Sequence, residues 1–354
     1  MLNKIRWQRR CVVVKILDFS VRANPLGTPE AIKTALTAAI REQCAAPVDP
    51  DFTALRQTIA LRHGVQSGQI AVSQREEELI ALLAASAGGA RRALLPVPCP
   101  RSYERVLKRC GLDVKSFALP LKHNYRIPRG ALAEALDGCD LLVLGNPAFP
   151  SAALMPPAEL LSELDRWLGR GGWLILDERA VDFTYGSITN SLWSGVRREP
   201  RAALIRSFTD SLALALCPLC YAVGGEGWIS ALRARQFAPA LSPLAHYLAP
   251  ALERIMPFRS STVDVVTRLM PRLIGRLRRI SGLRPLPSDA NWVLCRLERD
   301  DITAPELAAQ LRRRSILIPP CIDERHFTLG LRVPIETDRF IKAAREILMP
   351  RTKA

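Results

Sequence analysis

Few side chains in this sequence have the types and spacing that catalysis or metal binding requires. Cys217 and Cys220 form a CxxC pair, which can serve as half of a redox or zinc site. No second CxxC and no nearby histidine pair completes such a site, so the nine cysteines are interpreted as reduced thiols that pack as small apolar groups. The histidines show no metal-ligand spacing and are interpreted as structural or surface residues: His63, His123, His246 and His326. The sequence therefore predicts no metal site.

Carboxylates are the other candidates for chemistry. Asp177 directly follows an apolar run at 173–176, and a carboxylate at the end of a buried strand can face a ligand site. A solvated turn aspartate is the alternative interpretation. The run Glu76-Glu77-Glu78 opens a helical segment and is interpreted as a solvated helix start favoured by the helix dipole. No GxSxG, P-loop or GxGxxG motif is present.

The charge balance constrains the partners of the protein. The chain has 354 residues and a formal net charge of +16, which could indicate nucleic-acid binding. Four arginines instead lie three or four residues apart, which predicts one solvated helix face: Arg268, Arg272, Arg276 and Arg279. No RNA-binding motif, zinc finger or basic tail accompanies them, so no nucleic-acid partner is predicted. No apolar run approaches the roughly 20 residues of a membrane span, and the basic N-terminus lacks a cleavage pattern. We therefore expect a cytoplasmic protein without membrane contact.

Alternating apolar and amphipathic segments must position these residues. Helical spacing predicts helices over 28–43, 51–63 and 75–87. In the second of these, Leu55, Ile59 and Leu61 are expected on the apolar face. Short apolar runs predict buried parallel strands at 94–97, 141–145, 173–176, 202–205 and 219–223, separated by helices such as 157–168 and 227–236. This alternation predicts an α/β fold of the doubly wound type.

The pattern changes after about residue 237. Helices are predicted at 241–255, 261–280, 304–314 and 337–348, with strands at 291–296 and 329–333. We therefore predict a large domain at 48–236, a small α+β domain at 237–354, and an N-terminal segment at 1–47 that joins the small domain.

Motifs in order along nearly the whole chain resemble those of pyridoxal-phosphate (PLP) enzymes of the class I/II aminotransferase type. Asp18-Phe19-Ser20 followed by Asn24-Pro25-Leu26-Gly27 is similar to the opening of the threonine-phosphate decarboxylases and histidinol-phosphate aminotransferases. Matching segments follow at 171–178, 182–183, 206–209, 288–292 and 331–333. The opening, the block at 171–183 and Cys321 favour the decarboxylase branch. The resemblance implies a seven-stranded, mostly parallel sheet, a smaller α+β domain and a homodimer.

The resemblance also assigns site residues. In this family a lysine forms an imine with PLP, and an aspartate pairs with the pyridine nitrogen. Asp177 matches that aspartate, Ser207 a phosphate-binding serine, and Tyr221 a tyrosine implied at the cofactor. Arg332 matches the arginine that binds the substrate carboxylate, with a plain surface arginine as the alternative. Asn24, in the opening motif, is assigned to substrate binding.

Other positions depart from the family. Asp210 occupies the lysine position, and no lysine occurs between Lys122 and Lys342. The further departures are Phe149 for the ring-oxygen asparagine, Pro218 for the phosphate arginine, Ala180 for an aromatic residue, and 73–76 for a glycine-rich phosphate turn. A carboxylate cannot form an imine, and Asp210 adds negative charge near Asp177 and the expected phosphate. Ordinary PLP catalysis is therefore not predicted.

Several hypotheses for the function stay open. The first is a diverged threonine-phosphate decarboxylase-like protein, linked by resemblance to cobalamin biosynthesis, with weak or lost activity. The second is a non-catalytic protein that binds a phosphorylated amino acid or a homologous subunit. The third is a decaying gene product whose fold outlasts its site. A histidinol-phosphate aminotransferase-like transaminase is the alternative ancestry.

Overall fold

The computed structural model describes residues 16–20, 22–42, 49–186 and 189–349. Its strands are β1 (Leu17–Asp18), β2 (Ile70–Ser73), β3 (Arg92–Val97), β4 (Asp113–Ala118), β5 (Leu141–Gly145), β6 (Trp173–Asp177), β7 (Ala202–Ser207), β8 (Cys220–Gly224), β9 (Leu283–Pro285), β10 (Trp292–Leu297), β11 (Ile316–Leu317) and β12 (His326–Gly330). Its helices are α1 (Glu30–Glu42), α2 (Thr53–His63), α3 (Glu76–Ala85), α4 (Arg101–Arg109), α5 (Ala131–Ala135), α6 (Pro157–Gly169), α7 (Trp193–Val196), α8 (Phe208–Ser211), α9 (Glu226–Arg233), α10 (Ala249–Leu252), α11 (Met256–Leu277), α12 (Ala304–Arg313) and α13 (Pro334–Leu348).

A seven-stranded sheet in the order β2-β8-β7-β6-β5-β3-β4 forms the centre of the molecule. The strand β8 is antiparallel to β2 and β7, and the other neighbours pair in parallel. The predicted mostly parallel α/β sheet is confirmed. The strands β2 and β4 were not predicted; β2 has only four residues, and β4 is a mostly exposed strand, each at one edge of the sheet.

The two faces of this sheet pack on different sets of helices. Because side chains alternate along a strand, Leu174 and Leu176 of β6 join one apolar cluster with residues of α1, α2 and α6. Ile175 of β6 joins the opposite cluster, with residues of α3, α4 and α9. Asp177, two residues after Ile175, therefore points to the α3 and α4 side.

A second unit is built mainly from the C-terminal third of the chain. Its three-stranded antiparallel sheet has the order β12-β10-β9, and β1 pairs in parallel with β11. Leu17 and Phe19 share an apolar cluster with residues of α11, α12 and α13. The ring centroids of Phe19 and Phe340 are 5.2 Å apart. The start of the described chain is thus part of this unit.

Three expectations need correction. The helix α1 contacts Pro243–Leu248 and α10 of the predicted small domain, but all of these pack in the apolar cluster of the large sheet rather than against the C-terminal sheet. The stretch 241–255 is not one helix: a 3-10 segment at Pro243–Leu248 is followed by the short α10, and Pro250 has no N–H to donate into the preceding turn. Leu61 is 79% exposed rather than packed. Among the described residues, no helix is both long and apolar enough to cross a bilayer.

Candidate functional site

The carboxyl ends of the parallel strands meet around Asp177. This residue ends β6 beside Gly145 of β5. The backbone N–H of Asn146 donates to the Asp177 carbonyl at 2.9 Å, which places the loop at 146–150 next to the carboxylate. This edge is where open α/β sheets bind ligands.

The guanidinium of Arg179 binds the Asp177 carboxylate with both of its arms. Nε donates to Oδ1 at 2.8 Å and Nη2 donates to Oδ2 at 2.9 Å. Nη2 also donates to the Tyr103 hydroxyl at 2.8 Å, and Nη1 pairs with Glu76 at the start of α3. Both Arg179 and Asp177 are buried. Each carboxylate oxygen that could face a ligand therefore already accepts a bond from the chain itself.

This arrangement keeps the Asp177 carboxylate charged. Burial opposes its ionisation, but the Arg179 guanidinium and the Tyr103 hydroxyl outweigh that effect and hold the pKa of Asp177 below its ordinary value. The glutamates of α3 are also engaged, because Ser73 Oγ donates to Glu78 Oε2 at 2.5 Å. The interpretation of these glutamates as a merely solvated helix start was therefore wrong.

Asp210 and Phe149 line a small cavity beside this ion cluster. Its volume is about 20 Å³. The walls also include Asp177, Arg179 and Ala180, together with Arg22, Asn291 and Trp292. A second space of about 30 Å³ includes Phe149, Asp177 and Tyr103 in its lining. The structure thus brings the predicted positions Asp177, Asp210, Phe149 and Ala180 together, and none of the residues lining either cavity is a lysine.

Tyr221 lies away from this cavity, on the other face of the sheet. It pairs with Arg206 across β7 and β8, and its ring belongs to the cluster opposite Asp177. Its hydroxyl lies 3.1 Å from His63 Nε2. The structure therefore does not place Tyr221 where the assignment to cofactor binding requires it. Ser207 is buried on the Asp177 side, where its hydroxyl accepts from the Cys220 thiol at 3.4 Å.

Arg332 and Asn24, which were assigned to substrate binding, instead make hydrogen bonds within the fold. Arg332 Nε donates to the backbone carbonyl of Asp18 at 3.0 Å, which ties the segment after β12 to β1. Asn24 is buried, and its amide donates to the Ser211 carbonyl at 2.8 Å and to Thr262 Oγ1 at 2.7 Å. Neither side chain lines the cavity at Asp210. The alternative of a plain arginine suits Arg332 better than a carboxylate-binding role.

Neither the CxxC pair nor the helix face with the four arginines has the geometry of a catalytic or metal-binding site. Burial raises the pKa of Cys217 to about 11 and that of Cys220 to about 12, so neither is a reactive thiolate. Cys11 and Cys44 lie outside the described residues. Within the described ranges, no group of three possible ligands that could hold a metal ion is found. Arg276 pairs with Asp338 at 2.5 Å, while Arg268, Arg272 and Arg279 are exposed.

A second buried ion network lies on the other face of the sheet. Arg206 donates from Nη2 to Glu178 at 2.9 Å and from Nη1 to Asp182 at 3.1 Å. Arg259 donates to the same Asp182 oxygen at 2.7 Å. Ser191 Oγ donates to Glu178 at 2.7 Å. This network fastens the segment after β6 to β7 and to the start of α11.

His63 borders this network and should make stability depend on pH. Burial, followed by the nearby Arg206 and Arg62 charges, lowers the pKa of His63 from 6.5 to about 3. The unfolded chain takes up this proton near pH 6.5 and the native chain only near pH 3, so stability is lost as pH falls through that window. We expect the free energy of unfolding to drop by roughly 1–2 kcal/mol between pH 7 and pH 5 through this residue. Urea titrations of the wild type and His63→Gln at both values measure the drop.

The exposed His123 provides the matched control for this prediction. His123→Gln should keep the full pH dependence of the wild type, whereas His63→Gln should have a smaller one. Equal pH dependence in wild type and His63→Gln would contradict the prediction.

The most important residue at the site, Arg179, was not predicted from the sequence. It follows Asp177 by two positions, and a basic residue so close to a buried aspartate is a signal that could have been used. Tyr103 and Glu76 come from distant parts of the chain, and no spacing connects them with Asp177. Arg22 and Asn291, which line the cavity, were likewise not singled out.

The fold is shared with solved structures of histidinol-phosphate aminotransferases. A histidinol-phosphate aminotransferase from Clostridium acetobutylicum matches with a TM-score of 0.84 and 22% identity, covering 94% of this chain and 99% of that one. The histidinol-phosphate aminotransferase from Sinorhizobium meliloti, solved in complex with pyridoxal-5'-phosphate, matches with a TM-score of 0.83 and 18% identity over 94% of this chain and 91% of that one.

The chain belongs to the aminotransferase class I and II family, whose model matches residues 14–337. The threonine-phosphate decarboxylase of Salmonella typhimurium is 28% identical over 341 residues, which are 94% of this chain and 92% of that protein. Within this family, the chain is similar both to a threonine-phosphate decarboxylase and to histidinol-phosphate aminotransferases. The family and the fold predicted from the motifs are confirmed.

The residues at the site do not fit PLP as they stand. The Asp177 carboxylate, which should pair with the pyridine nitrogen, is bound by Arg179. Asp210 has no amine to offer the aldehyde, and Glu76, Glu77 and Glu78 in the first turn of α3 place negative charge near the expected phosphate.

Proposed function

We propose that this protein is a non-catalytic relative of the threonine-phosphate decarboxylases, which retains a small polar pocket at the family's site without PLP chemistry. One observation carries the proposal: the Arg179 guanidinium occupies both oxygens of Asp177, the carboxylate that the cofactor would need. A link to cobalamin biosynthesis and a homodimer, which the resemblance implies, belong to the same proposal.

Two further features support the proposed absence of PLP catalysis. Asp210 supplies a carboxylate where an imine requires an amine. Phe149 lines the cavity where the family has an amide for the ring oxygen. The 28% identity to a threonine-phosphate decarboxylase extends over 94% of the chain, which supports this ancestry. The proposal therefore predicts a folded protein with a pocket, and no turnover.

The proposal is tested by adding excess PLP to the purified protein. We expect no saturable imine absorption beyond what exposed lysines such as Lys122 give with excess PLP, and no release of carbon dioxide from O-phospho-L-threonine. An active threonine-phosphate decarboxylase, assayed in parallel, serves as the positive control. A yellow protein with a saturable absorption change, or decarboxylation above the rate without protein, would overturn the proposal.

The variant Asp210→Lys separates the missing amine from the rest of the site. It supplies the amine but leaves Arg179 on Asp177, so we expect it to form no stable imine with PLP. The same spectrum recorded for Asp210→Lys combined with Arg179→Ala tests whether Arg179 is the remaining obstacle. If Asp210→Lys alone became fully yellow, the ion pair at Asp177 would not exclude the cofactor.

A further inference from the structure

Two helices of the C-terminal unit, α11 and α13, lie side by side. They contact each other directly, and their apolar residues share one buried cluster with residues of β10 and β12. At the boundary between the two helices, Arg276 of α11 forms an ion pair with Asp338 of α13. The surfaces that these helices turn away from the sheet therefore adjoin and form one outer face.

The exposed side chains of this outer face are mainly basic. Two of its acids are already paired, Asp338 with Arg276 and Glu346 with Arg314 of the turn after α12. The other acids of the two helices are Asp264 and Glu336. Six basic side chains are exposed and make no hydrogen bond or ion pair within the described part of the chain; we call them the basic face: Arg268, Arg272, Arg279, Arg339, Lys342 and Arg345.

Exposed apolar residues lie on the same side of α13 as part of the basic face. Ile335, Lys342 and Met349 are seven residues apart, so they lie almost in line along the helix. Ile335 is 73% exposed and Met349 is 63% exposed. Because a helix rises 1.5 Å per residue, this line is about 20 Å long. An apolar side chain thus stands at each end of it, with a lysine between them.

This combination distinguishes between anionic partners. A nucleic-acid duplex offers phosphates but no apolar surface for Ile335 and Met349. Single-stranded nucleic acid stacks its bases on aromatic side chains, and the exposed aromatic residues of the described chain, Tyr185 and Phe237, lie on neither helix. An anionic bilayer offers both anionic headgroups and, just beneath them, acyl chains. Its surface also extends in a plane, so it can meet both ends of α13 at once.

We propose that the basic face, together with Ile335 and Met349, binds the surface of an anionic phospholipid bilayer. The axis of α13 lies parallel to the bilayer, its basic side chains pair with lipid phosphates, and the two apolar side chains reach the acyl chains. Such peripheral binding requires no spanning helix. It replaces the expectation of a protein without membrane contact, which considered spanning segments and a single row of arginines. It does not depend on the proposed absence of PLP catalysis.

Vesicle co-sedimentation of the full-length wild-type protein tests this proposal. One set of vesicles contains phosphatidylcholine alone, and the other contains equal parts of phosphatidylcholine and phosphatidylglycerol. At an ionic strength of about 0.1 M we expect at least about tenfold tighter binding to the anionic vesicles, and most of that difference should disappear at about 1 M salt. No binding to anionic vesicles, or equal binding to both sets, would overturn the proposal. This comparison does not depend on how a substitution affects folding.

A triple variant locates the binding surface. Replacement of Arg339, Lys342 and Arg345 by glutamine should weaken binding to the anionic vesicles by roughly 100-fold, since each basic residue near the surface contributes about fivefold. The control variant loses the same net charge at three exposed positions outside the C-terminal unit, also by replacement with glutamine, and should bind as the wild type: Arg109, Arg129 and Arg197. The basic residues before position 16 are the same in both variants. Equal affinities of the two variants would contradict the assignment to this face.

The apolar residues separate a bilayer from a nucleic acid as the partner. The double variant Ile335→Ser with Met349→Ser keeps every charge and should weaken vesicle binding by about tenfold. Leu216→Ser, at a position that is 93% exposed outside the C-terminal unit, is the control and should not change it. Unchanged vesicle binding in the double variant would overturn the proposal. So would binding of a mixed-sequence DNA duplex that is tighter than binding of the anionic vesicles at the same phosphate concentration.

Discussion

Replacement of Arg179 by alanine is expected to lower the free energy of unfolding by about 3–5 kcal/mol, because it removes one partner of a buried ion pair. Asp177 would keep only the hydroxyl of Tyr103 as a side-chain donor, and Glu76 would lose its cation. Urea unfolding at neutral pH, followed by far-UV circular dichroism, measures the loss. The effect should be the largest of any single arginine on the α3 and α4 face of the sheet.

The exposed Arg198, which contacts no charged group in the described chain, is the matched control. Arg198→Ala should change the free energy of unfolding by no more than about 0.5 kcal/mol. The double variant Arg179→Ala with Asp177→Ala should be less destabilised than the sum of the two single variants, since no uncompensated carboxylate remains at position 177. A loss below about 1 kcal/mol in Arg179→Ala, typical of an exposed ion pair, would contradict the prediction.

Arg206→Met should destabilise the protein by a similar amount, about 3–5 kcal/mol. Glu178 is 0% exposed and would keep only the hydroxyl of Ser191 and the N–H of Leu192 as donors. Burial already raises the pKa of Glu178 despite Arg206, and loss of that cation raises it further. Thermal and urea unfolding of Arg206→Met against the wild type measure the effect.

The pH dependence of the stability of Arg206→Met distinguishes an unpaired Glu178 carboxylate from lost packing. A protonated Glu178 needs no counter-charge, so the deficit of Arg206→Met relative to the wild type should shrink as the pH falls from 7 to 5. Arg109→Met, at an exposed position near the end of α4, controls for the loss of a positive charge and should behave as the wild type. A deficit that is constant across this pH range would indicate lost packing rather than an unpaired carboxylate.

The sequence was sufficient for the central strands and most helices of the large sheet. Continuous apolar runs identify β3, β5, β6, β7 and β8, because both faces of these strands are buried. The edge strand β4 has the pattern of a half-exposed segment and was missed. The segment at 241–255 has apolar spacing but contains Pro250, and helical periodicity alone did not account for the backbone N–H that this proline lacks.

Part of the site could be grouped from the sequence through the family resemblance. The motifs assigned Asp177, Asp210 and Phe149 to one cofactor site, and the structure brings them to one cavity. The direction of a side chain within a loop is not readable from spacing, which is why the role of Arg179 was missed. Tyr221 lies inside β8, and its side chain is on the face opposite Asp177, which the motif match alone did not reveal.

The stability of the folded protein depends in part on the buried cluster of Asp177, Arg179, Tyr103 and Glu76. A protein that binds a cofactor only when folded gains stability by mass action, in proportion to the logarithm of the cofactor concentration. In this chain the charges that a cofactor would satisfy are satisfied from within, by side chains from three separate segments. On the proposed function, the stability of the folded protein should therefore not change with the concentration of PLP.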